Sequence, residues 1–381
     1  MSNRVLLVDD DPNILSAFKR QLRKKADLQT ALSGAAGLDI LKSEGPFAVV
    51  VTDYCMPEMN GIEFLAQVRR IAPDSVRMLL TGSADLAAAI EAVNQGNIFR
   101  FLTKPCASEE LLKVLAVGIG EYRRIHKERK FNKRTRRWLR QAMEVQQCLL
   151  PGKSSCWQEL DIAGRSVFCD QTGGDYYDYF EKSETGGPII SVVVGDVSDH
   201  GLPSALLMTT ARATLRECAT RPGSAGQIVG HVNRRLAQDV QDTGRFMTLF
   251  YAEIERSTRT IRWVRAGHDP AILYDPRTGE FAELNGQNGL PLGVFDEAAY
   301  EEHRRELGPE QIVVIGTDGI WEACNLQGRL FGKRRLQEVI QAHAACSAAE
   351  MVERALDELQ RFLHPRPVQD DATLVVVKLG G

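Results

Sequence analysis

Arg4-Val5-Leu6-Leu7-Val8-Asp9-Asp10-Asp11-Pro12, near the N-terminus, runs four apolar residues into three carboxylates and a proline. A continuous aliphatic run of this kind reads as a strand buried on both faces. Asp11-Pro12 reads as the cap and first position of a helix carrying Ile14, Leu15, Phe18 and Leu22. The unit then recurs. Ala48-Val49-Val50-Val51-Thr52, Val76-Arg77-Met78-Leu79-Leu80-Thr81 and Arg100-Phe101-Leu102-Thr103 are further strand-like runs with helix-patterned stretches between them. Alternation of this sort implies an α/β, doubly wound parallel sheet. Function in such sheets collects at the carboxyl ends of the strands, where Asp9, Asp10, Asp53, Thr81 and Lys104 all fall.

From about Glu109 to Leu150 the pattern turns helical, without proline. Glu121 to Arg140 carries ten Lys or Arg against two Glu. Phe131, Trp138 and Val145 recur every seven residues, preceded by Leu111, Leu115, Tyr122 and Ile125 in another phase. A long connecting helix follows, of coiled-coil type with a register break. Its basic run lacks a nucleic-acid-binding module and reads as a solvated face. Residues 151–381 change character again. Strand-like runs at Ile189–Val194, Phe246–Ile254, Thr260–Val264, Ala271–Leu273, Ile312–Ile315 and Leu374–Val377 mix with helical segments at Pro203–Cys218, Gly226–Asp239 and Ser347–Phe362. This reads as an α+β domain on antiparallel sheets. The expected division is 1–120, a helical linker 121–150, and 151–381.

Three carboxylates at adjacent strand ends disfavour one another's ionised form unless a cation sits among them. A Mg²⁺ ion beside a partly free carboxylate makes that carboxylate a phosphoryl acceptor, with a lysine to hold another phosphoryl oxygen. Val8-Asp9-Asp10-Asp11-Pro12, Thr52-Asp53-Tyr54-Cys55-Met56-Pro57-Glu58-Met59-Asn60-Gly61, Leu80-Thr81-Gly82 and Phe101-Leu102-Thr103-Lys104-Pro105 together resemble a response-regulator receiver domain. The resemblance covers about 120 residues and implies a five-stranded sheet. It further implies Asp53 as phosphoacceptor from a sensor histidine kinase, and Mg²⁺ held by Asp9, Asp10, Asp53 and the Cys55 carbonyl. Thr81 would be the switch hydroxyl, Lys104 the phosphate-binding cation and Phe101 the rotating aromatic.

Four more acidic positions punctuate the second half: Asp175, Asp196, Asp318 and Asp370, each where an apolar strand-like run breaks into a turn. Unpaired buried charge is expensive, so four converging carboxylates call for cations. They suit a two-metal centre that activates water for attack on phosphorus, with oxygen ligands favouring Mg²⁺ or Mn²⁺. No Walker loop or Gly-x-Ser-x-Gly elbow is present.

Gln146-Gln147-Cys148-Leu149-Leu150-Pro151, Gly173-Gly174-Asp175-Tyr176-Tyr177-Asp178, Gly195-Asp196-Val197-Ser198-Asp199-His200-Gly201, Ala266-Gly267-His268-Asp269-Pro270, Gly289-Leu290-Pro291-Leu292-Gly293, Thr317-Asp318-Gly319 and Asp370-Asp371-Ala372-Thr373 are similar to the sporulation- and stress-type branch of metal-dependent (PPM) Ser/Thr phosphatases. That resemblance, over about 145–378, implies a β-sandwich flanked by helices with two Mn²⁺ or Mg²⁺ ions at its edge. Asp175, Asp196, Asp318 and Asp370 become ligands, assisted by the Val197 carbonyl, with Asp371 as the alternative to Asp370. Asp199-His200 stands where this branch has Gly-Lys, and Asp269 where it has Asn. His200 and His268 read as loop or hydrogen-bonded core histidines in preference to proton-transfer residues, and Tyr176, Tyr177 and Tyr179 as core packing.

The chain has 381 residues and a formal net charge of −3, which gives it no polyelectrolyte character. No apolar run approaches the roughly 18–20 residues of a membrane span. Its eight cysteines form no Cys-x-x-Cys pair, which argues against a zinc knuckle or disulfide framework. A cytoplasmic homodimer, with no nucleic-acid or membrane partner, is the expectation. Together the motifs lead to a response regulator whose output is a phosphoserine/phosphothreonine protein phosphatase. By resemblance its substrate would be an anti-sigma-factor antagonist. The rival reading, a non-catalytic phosphatase-like adaptor, predicts a broken set of metal carboxylates, and this set is intact.

Overall fold

The computed structural model describes residues 2–23, 26–82, 98–152, 154–157, 160–184 and 187–380. The chain divides into two compact units, Met1–Arg136 and Arg137–Gly381.

In the first unit, five parallel strands lie in the order β2-β1-β3-β4-β5: β1 (Arg4–Val8), β2 (Asp27–Ala31), β3 (Val49–Asp53), β4 (Val76–Thr81) and β5 (Arg100–Thr103). Val49 to Val51 are fully buried because helices cover both faces. On one face, Leu15, Phe18 and Leu22 of α1 (Pro12–Leu22) pack with Leu111, Val114, Leu115 and Tyr122 of α4 (Ser108–Leu149). On the other, Leu38 and Leu41 of α2 (Gly34–Glu44) meet Phe64, Leu65 and Val68 of α3 (Gly61–Ile71). Asp11 caps α1 by accepting from the Asn13 amide, with Pro12 in the first turn, as the sequence implies.

Helix α4 is continuous over 42 residues. Its change of apolar phase has a direct cause. Leu111, Leu115 and Tyr122 are buried against the parallel sheet, whereas Phe131, Trp138 and Val145 are exposed.

The second unit stacks two six-stranded sheets. One comprises β8 (Tyr176–Glu184), β9 (Gly187–Val197), β10 (Met247–Glu255), β11 (Thr260–Ala266), β14 (Asn288–Gly289) and β15 (His303–Glu306), in the order β14-β11-β10-β9-β8 with β15 paired to β11. The other comprises β6 (Ser154–Trp157), β7 (Leu160–Val167), β12 (Ala271–Asp275), β13 (Glu280–Leu284), β16 (Ile312–Gly316) and β17 (Ala372–Leu379), in the order β13-β12-β16-β17-β7-β6. Ile190, Val192, Val194, Phe250 and Ala252 from the first face Leu273, Val313, Ile315, Val375 and Val377 from the second. Helices α5 (Leu202–Ala219) and α6 (Ala225–Val240) cover the outside of one sheet. The short α7 (Asp318–Trp321), α8 (Gly332–Ala342) and α9 (Ala348–Leu363) cover the other. Tyr176, Tyr177 and Tyr179 are all buried.

Antiparallel pairing also corrects one expectation. Asp196 and Asp318 lie at the ends of β9 and β16, but Asp175 and Asp370 lie just before β8 and β17. Tyr176 pairs with Gly195 and Gly316 with Leu374, so a strand's start sits beside its neighbour's end.

Phe64 is fully buried between α2 and the sheet, and its ring fills the space a Cβ on Gly37 would need. Phe64→Ala should destabilise the first unit by about 3–5 kcal/mol. Amide exchange should quicken in β1 and β3 and stay unchanged in β16 and β17.

Candidate active site

At the carboxyl ends of β1 and β3, ligand oxygens of Asp9, Asp10 and Asp53 lie within 4.8 Å of one another. Lys104, just past β5, reaches Asp9 at 2.8 Å and Asp53 at 2.7 Å. Asp9 is also held by the Asp11 amide at 3.0 Å, so it is already oriented. Burial raises the pKa of Asp53, opposed by the hydrogen bond from Lys104. Burial works against the Lys104 charge, yet hydrogen bonds to Asp53 and Asp9 outweigh it and raise its pKa. Thr81 is wholly buried, its hydroxyl donating to the Gly82 carbonyl at 3.1 Å, and Phe101 is half-buried against the α2/α3 cluster. Gly61 is required beneath this site: a Cβ there would sit 2.2 Å from the Asp53 carbonyl oxygen. The chemistry of three clustered acidic oxygens with one lysine fits a small hard cation.

In the second unit, Asp175 and Asp196 from one sheet and Asp318 and Asp370 from the other meet at one edge of the sandwich. Asp175 is fully buried. Its Oδ2 accepts from Thr317 Oγ1 at 2.8 Å, while among the described residues nothing donates to Oδ1. Its pKa is pushed well up, first by burial and then by the charges of Asp196 and Asp371. Asp196 rises to about 8, by burial and by its proximity to Asp318 and Asp370. Asp318 rises by burial and by Asp370. Asp196 thus raises Asp175 and is itself raised by Asp318 and Asp370, although among the described residues only the Asp9–Asp10–Asp53 set brings one ligand oxygen from each member within 4.8 Å. An orphaned buried carboxylate oxygen among mutually repelling acids is a set that divalent cations would satisfy.

Asp371, the alternative to Asp370, is engaged by backbone amides. Its Oδ1 accepts from the Cys169 amide at 2.8 Å and its Oδ2 from the Gly174 amide at 2.7 Å, so it braces the loop that presents Asp175. Gly174 packs against the Val197 carbonyl, where a Cβ would come within 2.8 Å of the oxygen. Gly319 packs still closer, 2.0 Å from a would-be Cβ to the Asp371 carbonyl oxygen. Side chains at these glycines would push apart the backbone that gathers the acids.

His268 is a buried histidine with both nitrogens engaged, Nδ1 with Thr248 Oγ1 at 2.8 Å and Nε2 with the Gly316 carbonyl at 3.1 Å. A carbonyl only accepts, so Nε2 carries the proton. Burial lowers the His268 pKa to about 4. It serves as a neutral tie between β10 and the end of β16. His200 is exposed on its loop beside Asp170, at 3.1 Å. Asp199 adopts φ +63° and pairs with Arg245 at 3.1 Å. Asp269 pairs with Lys333 at 2.9 Å and borders a cleft of about 100 Å³ lined also by Asp196, Asp318, Trp321 and Glu322. Thr317 and Asp371 as loop anchors escape sequence reading, although the Thr-Asp-Gly and Asp-Asp strings mark their places.

Two family models match the chain, Stage II sporulation protein E (SpoIIE) over residues 188–380 and Response regulator receiver domain over residues 5–116. Phosphoserine phosphatase RsbU of Bacillus subtilis (strain 168) is 30% identical over 237 residues, which cover 62% of this chain and 68% of RsbU. Transcriptional regulatory protein GlrR of Escherichia coli (strain K12) is 35% identical over 112 residues, 29% of this chain and 25% of GlrR. Among solved structures, the SiaA-PP2C domain of Pseudomonas aeruginosa aligns with TM-score 0.55 at 24% identity, over 65% of this chain and 98% of that one. The last likeness shows the fold.

The acidic cluster makes stability depend on pH with a definite sign. An unfolded chain ionises Asp196 near its ordinary value of about 3.9, and the folded one near 8. Between those values the folded state holds the extra proton, so raising the pH favours unfolding. Chelator-treated protein should lose stability in its second unit as pH rises from about 4 to about 8. Added Mn²⁺ should cancel that loss, measurable as urea midpoints at several pH values.

Proposed function

Because the chain belongs to the Stage II sporulation protein E (SpoIIE) family, with a receiver domain ahead of its PPM phosphatase domain, we propose that a histidine kinase controls it through Asp53. Its output is removal of phosphate from serine or threonine of a regulatory protein. The observation that carries this reading is the meeting of Asp175, Asp196, Asp318 and Asp370 at one sandwich edge, with the Asp175 and Asp196 carboxyls raised far above their usual range. Asp175, Asp196, Asp318, Asp370 and the Val197 carbonyl would hold two Mn²⁺ or Mg²⁺ ions. Bound there, the ions would supply charge stabilisation at phosphorus and an activated water.

The chain's own residues do the rest. Thr317 orients Asp175, Asp371 braces the loop before it, and His268 fixes Gly316 two residues ahead of Asp318. The cleft beside Asp196 and Asp318 receives the phosphoryl group. In the receiver, Asp9, Asp10, Asp53 and the Cys55 carbonyl would hold Mg²⁺, and Lys104 would shift from Asp53 onto a phosphoryl oxygen, drawing in Thr81 and Phe101. RsbU carries the name phosphoserine phosphatase; the substrate class proposed here is an anti-sigma-factor antagonist. Val145, Trp138 and Phe131, 64%, 51% and 64% exposed at seven-residue spacing on α4, support pairing with a second copy.

Hydrolysis of an aryl phosphate by the full chain in Mn²⁺ tests the reading. Asp196→Ala should reduce turnover beyond the roughly 10–100-fold typical of losing a partner of a metal ligand. Asp53→Ala should keep basal turnover and ignore a small-molecule phosphodonor to which the wild type responds. Turnover that survives Asp196→Ala undiminished would refute the assignment.

A further inference from the structure

Gln146 is a polar side chain, 4% exposed, in the last turn of α4. Its Nε2 donates to the Gly173 carbonyl at 2.6 Å, and its Oε1 accepts from the Gly173 amide at 3.2 Å. One carboxamide thus engages both polar groups of a single residue. A carboxamide carries a neutral donor and a neutral acceptor side by side on one planar group. The neighbouring Gln147 is exposed.

What is clamped matters more than the clamp. Gly173 is two residues before Asp175 and is boxed in, since a Cβ on it would lie 2.1 Å from the Phe168 ring and 2.4 Å from Asp371 Oδ2. The next amide, Gly174, donates to that same Asp371 oxygen at 2.7 Å. The loop therefore has two buried supports: Asp371 just ahead of β17, and Gln146 on a helix whose continuous course starts at Ser108. Asp371 belongs to the sandwich and moves with it. Gln146 belongs to the helix, so a turn or shift of the helix's last residues is passed to Gly173 and on to Asp175.

From this we infer that Gln146 is a positioning residue through which α4 sets the cation affinity of the Asp175 loop. The inference rests on the reading of Asp175 as a cation ligand. It assigns regulation to the strength of metal binding, leaving the reacting groups untouched.

The test uses the full-length, chelator-treated protein with Gln146→Met, which keeps the volume and removes both hydrogen bonds, and Gln147→Met as control. Wild-type Gly173 and Gly174 amides should be protected from exchange without metal, and Gln146→Met should expose them. Calorimetric Mn²⁺ titration should show the binding that Asp196→Ala abolishes weakened on the order of 10–100-fold in Gln146→Met and unchanged in Gln147→Met. Saturating Mn²⁺ should then restore turnover with the KM for aryl phosphate unaltered, whereas plain misfolding would lower turnover at every Mn²⁺ concentration. An unprotected Gly173 amide in the wild type, or wild-type Mn²⁺ affinity in Gln146→Met, overturns the inference. If Gln146→Met does not fold, the wild-type amide decides it. Wild-type protein that binds no more Mn²⁺ than Asp196→Ala would sink the phosphatase reading itself.

Discussion

Mutual repulsion among Asp175, Asp196, Asp318 and Asp370 is the constraint around which the second unit is built. Carboxylates do not gather in a partly dry site of their own accord, and the raised pKa values record what burial first and proximity second cost their charged forms. The sandwich imposes the gathering. Two antiparallel sheets bring a strand start and a neighbouring strand end to the same edge twice, once per sheet, and the apolar interior fixes their register. Thr317 and Asp371 then hold the backbone close through hydrogen bonds that glycines make room for. A core worth many kilocalories stabilises a site that costs several.

The receiver meets the same difficulty on a smaller scale. Three acidic residues at two strand ends are partly neutralised by one lysine that touches two of them. A phosphoryl group on Asp53 would compete for that lysine, which gives the site two distinct arrangements. Both units thus hold their acids apart from comfortable solvation and wait on a cation or a phosphate to settle the charge.

Much of this was legible in the sequence, and the failures have physical causes. Strands β1, β3 and β4 are covered on both faces and show as apolar runs, that of β4 interrupted only by Arg77. Strand β2, Asp27-Leu28-Gln29-Thr30-Ala31, sits at the sheet edge, only its last residue is buried, and it carries no such signal. Strand β8 was hidden by its own charges. Asp178 is buried through a pair of hydrogen bonds from Arg216, and Lys182 through Glu253, partners that lie 38 and 71 residues away. No local pattern announces such pairings. At the site, the acidic motifs named the converging residues, and His200 and His268 were readable as loop or core histidines without showing which was which. The bracing contacts of Asp371 were not, because they reach the amides of Cys169 and Gly174 some two hundred residues earlier.

The central claim is that the sandwich edge is a divalent cation centre, and anomalous diffraction at the manganese edge from crystals grown with Mn²⁺ tests it most directly. The account predicts two peaks among Asp175, Asp196, Asp318 and Asp370, with Asp371 still bound to the Cys169 and Gly174 amides. Absence of density there at saturating Mn²⁺, or an ion that draws Asp371 off those amides, would contradict it.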